Sequence, residues 1–75
     1  MKLSKAPVDK KVNIIKIKCD NKVKERLAIL GVYEGVLVQK IRIAPFNGPI
    51  ELKVRDFHLA IRYLEAEKIE VEYYE

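Results

Sequence analysis

The amino-acid sequence predicts a mainly β fold, a small barrel of about five short, bent strands with one short helix between the first two strands. Apolar and charged side chains alternate over residues 50–55 and 69–73, which is typical of strands with one buried face. Val23, Leu27 and Leu30 are spaced i, i+4 and i+7, as on one face of a helix. Seventy-five residues make one domain, residues 1–75, with a core of limited size.

The first strand is predicted over residues 12–19, where apolar residues alternate with lysines. The phase of this alternation shifts between Ile14 and Ile15. One extra residue in a strand indicates a β-bulge, which lets the strand bend as a small barrel requires. Pro7 indicates a turn before this strand.

The helix is predicted to begin at a cap residue, Asp20 or Asn21, and to run to about Leu30. Gly31 follows at the position where a residue with positive φ commonly ends a helix. Gly35 marks a turn, and a β-branched run over residues 36–43 predicts the second strand directly after it.

Residues 44–49 contain two prolines, an asparagine and a glycine, and predict the loop of a hairpin. Residues 50–54 and 69–73 are predicted strands. Residues 58–68 leave two interpretations open. Their composition favours a helix, but Leu59 and Ile61 alternate with Ala60 and Arg62 as in a strand followed by a helical turn.

Composition indicates a small cytoplasmic protein. Hydrophobic residues make up 49% of the chain, which favours a folded domain. The apolar runs are too short to span a bilayer, and no apolar segment follows the basic N-terminus, as a secretory signal would require. Cys19 is the only cysteine, which fits a reducing compartment.

Charge is unevenly distributed along the chain. Residues 1–24 contain eight lysines and two aspartates, whereas residues 65–75 contain five glutamates and one lysine. The two ends would neutralise each other if their strands were neighbours. The basic segment also allows an alternative function, a small barrel that binds nucleic acid. However, no aromatic residues that could stack on bases, and no arginines that could bind them, lie among the lysines of residues 1–24.

Catalytic motifs are absent from the sequence, so we expect a protein that is not an enzyme. The chain has no Gly-rich phosphate loop, Ser–His pair or metal-ligand quartet. Cys19 alternates with Ile17 and is predicted to be a small core residue. Asp56 and His58 are the candidate ligands of a weak Fe(II) or other divalent metal site, and no cofactor is required.

Three blocks of sequence occur in a distinctive order. They are Arg26-Leu27-x-x-Leu30-Gly31-Val32-x-x-Gly35, Pro45-x-x-Gly48-Pro49-Ile50 and Leu59-Ala60-Ile61-Arg62-x-x-Glu65-Ala66-x-x-Ile69-x-Val71. Together they resemble FeoA, the small cytoplasmic partner of the ferrous-iron permease FeoB. The resemblance covers nearly the whole chain and implies an SH3-like β-barrel. It also implies that residues 59–62 form a strand and residues 63–68 a helical turn before the last strand.

Two positions depart from the pattern of this family. Val8 stands where a glycine is common, so we expect either a looser turn or a turn carried by Asp9. Asp56, Phe57 and His58 stand where a tight glycine hairpin is common. Because aspartate adopts left-handed conformations at modest cost, we expect the hairpin to form with Asp56 in that conformation.

The resemblance implies a protein that acts by binding FeoB, at its cytosolic GTPase domain or its membrane domain, and that meets the membrane only through this partner. Exposed aromatic residues in the loops of small barrels are suited to such contacts. A weak homo-oligomer, formed through the last strand, is a further hypothesis. The candidate partner-binding residues are Arg26, Tyr33, Phe46, Phe57, Tyr73 and Tyr74.

Overall fold

A computed structural model describes residues 1–74. The predicted mainly β architecture is confirmed, including the helix between the first two strands and a helical turn before the last. The elements in chain order are a 3-10 turn (Leu3–Lys5), β1 (Lys11–Ile17), α1 (Asn21–Ile29), β2 (Leu37–Ile43), β3 (Ile50–Val54), β4 (Phe57–Ile61), α2 (Tyr63–Ala66) and β5 (Ile69–Tyr73).

The five strands form one antiparallel sheet in the order β4-β3-β2-β1-β5. The register of β1 against β5 shifts between Ile14 and Lys16, which confirms the predicted bulge. A second shift in β2, between Lys40 and Arg42, was not predicted. Each extra residue bends its strand and increases the local twist, so the two shifts curve the sheet around the core.

The core lies on the concave side of this sheet and contains side chains from every strand. Leu27 is the only residue of α1 that is fully buried, and Cys19 packs against the core from the end of β1, as predicted. The fully buried hydrophobic residues include Leu3, Val12, Ile14, Leu27, Val32, Val38, Ile50, Leu52, Val54, Ala66, Ile69 and Val71.

Local signals explain the bounds of α1. The Asp20 side chain accepts a hydrogen bond from the backbone N–H of Val23 at 3.0 Å, so Asp20 rather than Asn21 is the cap. Gly31 has a φ of 97°, as the sequence predicted, and Gly35, at the predicted turn, has a φ of 95°. Asp9 has a φ of 68° and carries the turn before β1, which is one of the two predicted alternatives.

Pairing with β3 decides the ambiguous segment. Ile50 lies opposite Ile61 and Val54 opposite Phe57, so residues 57–61 are a strand. The implied bounds, 59–62, were therefore two residues late at the start and one residue long at the end.

In the β3–β4 hairpin the residue with a left-handed conformation is Arg55, with a φ of 55°, and not Asp56 as predicted. Val54 is the last buried residue of β3, so the tight turn must begin at the next residue.

The ends of the chain neutralise each other, as their charges predicted. β1 pairs with β5, and Lys16 lies opposite Glu70. Glu70 also lies 3.4 Å from the N-terminal ammonium and 3.5 Å from Lys18 Nζ. The ammonium donates a hydrogen bond to the carbonyl of Val71, and the Val71 N–H donates one to the carbonyl of Met1. On the outer edge of β5, the N–H and the carbonyl of Val71 are thus already hydrogen-bonded to Met1. They are therefore not available for pairing with the strand of a second copy.

Lys40 is a buried cation that the sequence did not reveal. It is 1% exposed, on β2, at the second register shift. Its Nζ donates hydrogen bonds to the carbonyls of Ser4 (3.0 Å) and Ala6 (2.6 Å), and its own carbonyl accepts from the N–H of Asp9. Burial lowers the pKa of the Lys40 ammonium. Lys40 therefore holds residues 4–9 against the sheet, through its side chain at Ser4 and Ala6 and through its backbone carbonyl at Asp9.

Replacing Lys40 by methionine leaves the carbonyls of Ser4 and Ala6 without their donor. We expect Lys40→Met to lower the free energy of unfolding by about 2–3 kcal/mol, measured by urea denaturation at pH 7. The matched control is Lys53→Met, an exposed lysine on the next strand, which should change it by less than about 0.5 kcal/mol. Equal losses in the two variants would contradict this role for Lys40.

The lowered pKa also predicts a pH dependence. The folded protein releases the Lys40 proton at a lower pH than the unfolded chain, whose lysines have the ordinary value of 10.5. Between these two pKa values the unfolded state binds more protons, so the free energy of unfolding rises with pH there. We expect this rise below pH 10.5 in the wild type relative to Lys40→Met, and parallel profiles of the two proteins would contradict it.

Candidate functional site

Two loops meet at one end of the barrel and form an aromatic face. The first loop follows α1 and contains Gly31 and Tyr33, and the second is the β3–β4 hairpin with Arg55 and Phe57. A methyl group on Gly31 would lie 3.2 Å from Phe57 Cζ, so the ring rests against this glycine. Arg55 Nη2 donates a hydrogen bond to Tyr33 Oη at 3.1 Å. The aromatic face consists of Gly31, Tyr33, Arg55 and Phe57.

The aromatic face is largely open to solvent. Tyr33 is 41% exposed and Phe57 45%. Ile29 and Leu30, which precede Gly31 in the chain, are also exposed, Ile29 to 85%. Apolar residues that are exposed together, and not singly, are typical of interaction surfaces. The sequence predicted Tyr33 and Phe57 as separate candidates, and the fold brings them together.

An open cavity of about 420 Å³ lies beside Tyr33, between α1 and residues 33–34. Ile17, Lys24 and Ala28 contribute to its walls. Glu34 Oε2 accepts a hydrogen bond from the backbone N–H of Ile17 at 3.3 Å, which attaches the loop to the end of β1. The cavity extends the aromatic face along α1.

Arg26, a candidate partner-binding residue, forms an ion pair with the buried carboxylate of Glu65. Glu65 also accepts a hydrogen bond from the N–H of Arg62 at 3.2 Å, at the start of α2. The pair joins α1 to α2. The Arg26 side chain remains half exposed, so its contact with a partner stays a prediction.

Phe46 lies away from the aromatic face. It is 99% exposed, in the loop between β2 and β3, whereas Phe57 follows the other end of β3. At a rise of about 3.3 Å per residue the ends of this five-residue strand lie ~13 Å apart. Phe46 and Asn47 have φ values of 59° and 56°, which is unusual for an aromatic residue and holds the ring outward.

Tyr73 and Tyr74 lie at the end of β5, the edge strand opposite to the one that carries Phe57. The sequence predicted that at least one of them would be accessible. Both are exposed, because β5 extends past the last core residue, Val71. Their part in binding stays a prediction.

The candidate metal ligands are not brought together as a pair. His58 Nδ1 lies 3.3 Å from Glu51 Oε2, on the neighbouring strand, and not within ion-pair distance of Asp56. Glu51 is also 3.4 Å from Arg42 Nε. Within residues 1–74 there is no group of three or more His, Cys, Asp or Glu that is arranged to hold a metal ion. The sequence missed Glu51 because only the β3–β4 register makes it a neighbour of His58.

Cys19 has the environment of a core residue. It is half-buried at the end of β1, and burial raises the pKa of its thiol. A thiol with a raised pKa is a poor nucleophile at neutral pH.

These features define a class of protein, a small β-barrel whose aromatic loops face solvent. A family model described as "FeoA domain" matches residues 1–73. The chain therefore belongs to the FeoA family, whose proteins take part in ferrous iron transport. No curated protein matches the chain significantly.

Solved structures agree with this assignment. The FeoA protein of Chlorobium tepidum has 32% identity and a TM-score of 0.90, covering 97% of this chain and 70% of that protein. A FeoA-like protein of Clostridium acetobutylicum has 30% identity and a TM-score of 0.83, covering 97% and 85%. Zinc-complexed FeoA of Stenotrophomonas maltophilia, described as an SH3 domain protein, has 25% identity and a TM-score of 0.77, covering 96% and 89%. The predicted SH3-like fold is confirmed.

None of the helices of residues 1–74 has the length and apolar character that a membrane crossing requires.

Substitution of Gly31 tests how the aromatic face is held. Gly31→Ala places a side chain at a φ of 97° and 3.2 Å from Phe57 Cζ, whereas Gly35→Ala, the matched control, meets a φ of 95° and no atom within 4 Å. We expect each variant to lose about 1–2 kcal/mol of stability from its backbone conformation. Only Gly31→Ala should also shift the Phe57 ring resonances in an NMR spectrum. Unchanged Phe57 resonances would contradict the contact.

Proposed function

We propose that this protein binds the cytosolic part of the ferrous-iron permease FeoB through its aromatic face and regulates Fe(II) uptake by that binding. Membership of the FeoA family supports the transport system as the context. The meeting of Tyr33 and Phe57 on one solvent-exposed surface is the observation that carries the choice of site.

The aromatic face is suited to bind a protein. Tyrosine and phenylalanine bury a large area at a small cost in side-chain entropy. The hydrogen bond from Arg55 holds the Tyr33 hydroxyl in place, so less freedom is lost on binding. The exposed Ile29 continues the apolar surface along the end of α1.

The proposed mechanism requires no catalysis and no cofactor. A protein that binds one conformation of the permease more tightly than another shifts the population toward that conformation. The protein would act at the cytoplasmic surface and reach the membrane only through FeoB. Weak Fe(II) binding, for which His58 and Glu51 are the nearest pair of ligands, stays a separate prediction.

Calorimetry with the cytosolic GTPase domain of the cognate FeoB is the direct test, at physiological salt, with and without guanine nucleotide and with and without Fe(II). Binding that depends on nucleotide would support regulation of the GTPase cycle. If this domain does not bind under any condition, the same titration with the full permease in detergent decides whether the contact lies in the membrane domain. Failure of both would overturn the proposal.

Phe57→Ala should weaken FeoB binding about tenfold, because it removes the ring at the centre of the aromatic face. Ile15→Ala is the matched control. Ile15 is an apolar residue of similar exposure, 49%, at the bulge of β1. Equal affinity of the two variants would place the contact elsewhere on the barrel.

Phe46→Ala tests the second candidate contact. Because Phe46 is 99% exposed, its removal should leave the thermal unfolding midpoint unchanged. If the tip of this loop also contacts FeoB, the substitution weakens binding by about 1–2 kcal/mol. Unchanged affinity would exclude the β2–β3 loop from the interface.

A further inference from the structure

Three cationic side chains surround one small cavity on the outer face of the sheet. Lys11, Lys53 and Arg55 line a cavity of about 170 Å³, which Leu37 and Gln39 complete. These five residues form the cationic groove. No acidic residue contributes to its walls.

The strand register explains why these residues meet. Lys11 on β1 lies opposite Gln39 on β2, and Gln39 lies opposite Lys53 on β3. Residues directly opposite in adjacent strands point to the same face, and neighbouring strands are about 4.8 Å apart. The two lysines therefore flank Gln39 at a separation of roughly 10 Å. Arg55 follows two residues after Lys53 and lies on the same side.

The charges of the cationic groove are uncompensated within the part of the chain that the structure describes. None of its three cations lies within 4.0 Å of a carboxylate of residues 1–74. The Arg55 guanidinium donates to the neutral hydroxyl of Tyr33. By contrast, Lys18, which directly follows β1, and Arg42, on β2, each pair with a glutamate. Like charges placed together destabilise a sheet, so a bound anion would be favourable.

We propose that the cationic groove binds the diphosphate group of a small molecule. A carboxylate neutralises one charge and a single phosphate about 1.5 to 2, so a diphosphate matches three cations more closely. Arginine presents a planar fork of donors that fits phosphate oxygens, and the Gln39 amide adds a neutral donor between the lysines. The inference goes beyond the proposed binding of FeoB, because its ligand differs and its surface shares only Arg55 with the aromatic face.

The size of the groove argues against a nucleic-acid strand. Binding along a phosphate backbone requires a groove of cations that follows several nucleotides, together with stacking surfaces. The three cations line one cavity of about 170 Å³, which holds little more than one compact group. The cationic groove is therefore suited to bind phosphate groups and not to recognise a base.

NMR titration of the full chain with pyrophosphate tests the proposal, in a phosphate-free buffer at low salt. We expect saturable shifts at residues 11, 39, 53 and 55 that fit one site. The double variant Lys11→Gln/Lys53→Gln should bind at least tenfold more weakly. The control Lys5→Gln/Lys22→Gln makes the same change in net charge at two exposed lysines outside the groove and should bind as the wild type does.

Titrations with other ligands identify which phosphate compound the cationic groove recognises. Equal affinity for pyrophosphate and ADP would support recognition of the diphosphate itself, and tighter binding of ADP would support a nucleotide. A triglutamate peptide that binds more tightly than pyrophosphate, or an oligonucleotide that shifts lysines throughout residues 1–24, would overturn the assignment. So would shifts without saturation, or equal weakening in the groove variant and the control.

The NMR spectrum of each variant shows whether that variant is folded. If Lys11→Gln/Lys53→Gln is not folded, the single variant Arg55→Gln, at an exposed turn position, carries the test. Undiminished pyrophosphate binding by folded Arg55→Gln together with folded Lys53→Gln would also overturn the proposal. Because FeoB binding is measured with a different ligand, its failure leaves these results unaffected.

Discussion

The pairing of β1 with both β2 and β5 is the constraint on which the rest of this barrel depends. Within residues 1–74, β1 is the strand that joins the N-terminal half of the chain to its last strand, and its bulge beyond Ile14 bends the sheet at that junction. The same pairing places the basic N-terminal segment beside the acidic C-terminal one, so their charges stabilise the fold and do not repel. A chain of this length has little core to spare, and bringing its ends together buries Leu3 and Val71 in one cluster.

Lys40 is a second interaction that attaches the N-terminal segment to the sheet. Segments of irregular structure carry carbonyl groups that must be hydrogen-bonded when they are buried. The Lys40 ammonium supplies donors to two such carbonyls in residues 4–6, where the sheet itself offers none. A buried lysine is costly to desolvate, and the hydrogen bonds to these two carbonyls offset part of that cost. Lys40 thus attaches the N-terminal segment to the sheet at the point where the register shift bends β2.

The two candidate sites arise from the same short hairpin. Its left-handed residue, Arg55, directs a guanidinium toward Tyr33 on one side and into the cationic groove on the other. Phe57, two residues later, rests on Gly31, where any side chain would displace the ring. The aromatic face and the cationic groove are therefore adjacent and share one residue. An anion in the groove would draw on the same guanidinium that orients the Tyr33 hydroxyl.

The sequence alone determined most of the elements, because local patterns reflect local physics. Alternation identified the strands, the phase shift identified the bulge of β1, and Asp20 with Gly31 identified the ends of α1. It did not decide residues 58–68, since pairing with β3 outweighs their helical composition. Nor did it reveal that Arg26 pairs with Glu65, that His58 meets Glu51, that Lys40 is buried or that Lys11, Lys53 and Arg55 share a cavity. Each of these contacts joins residues on different elements, and only the strand register and the packing of the elements bring them together.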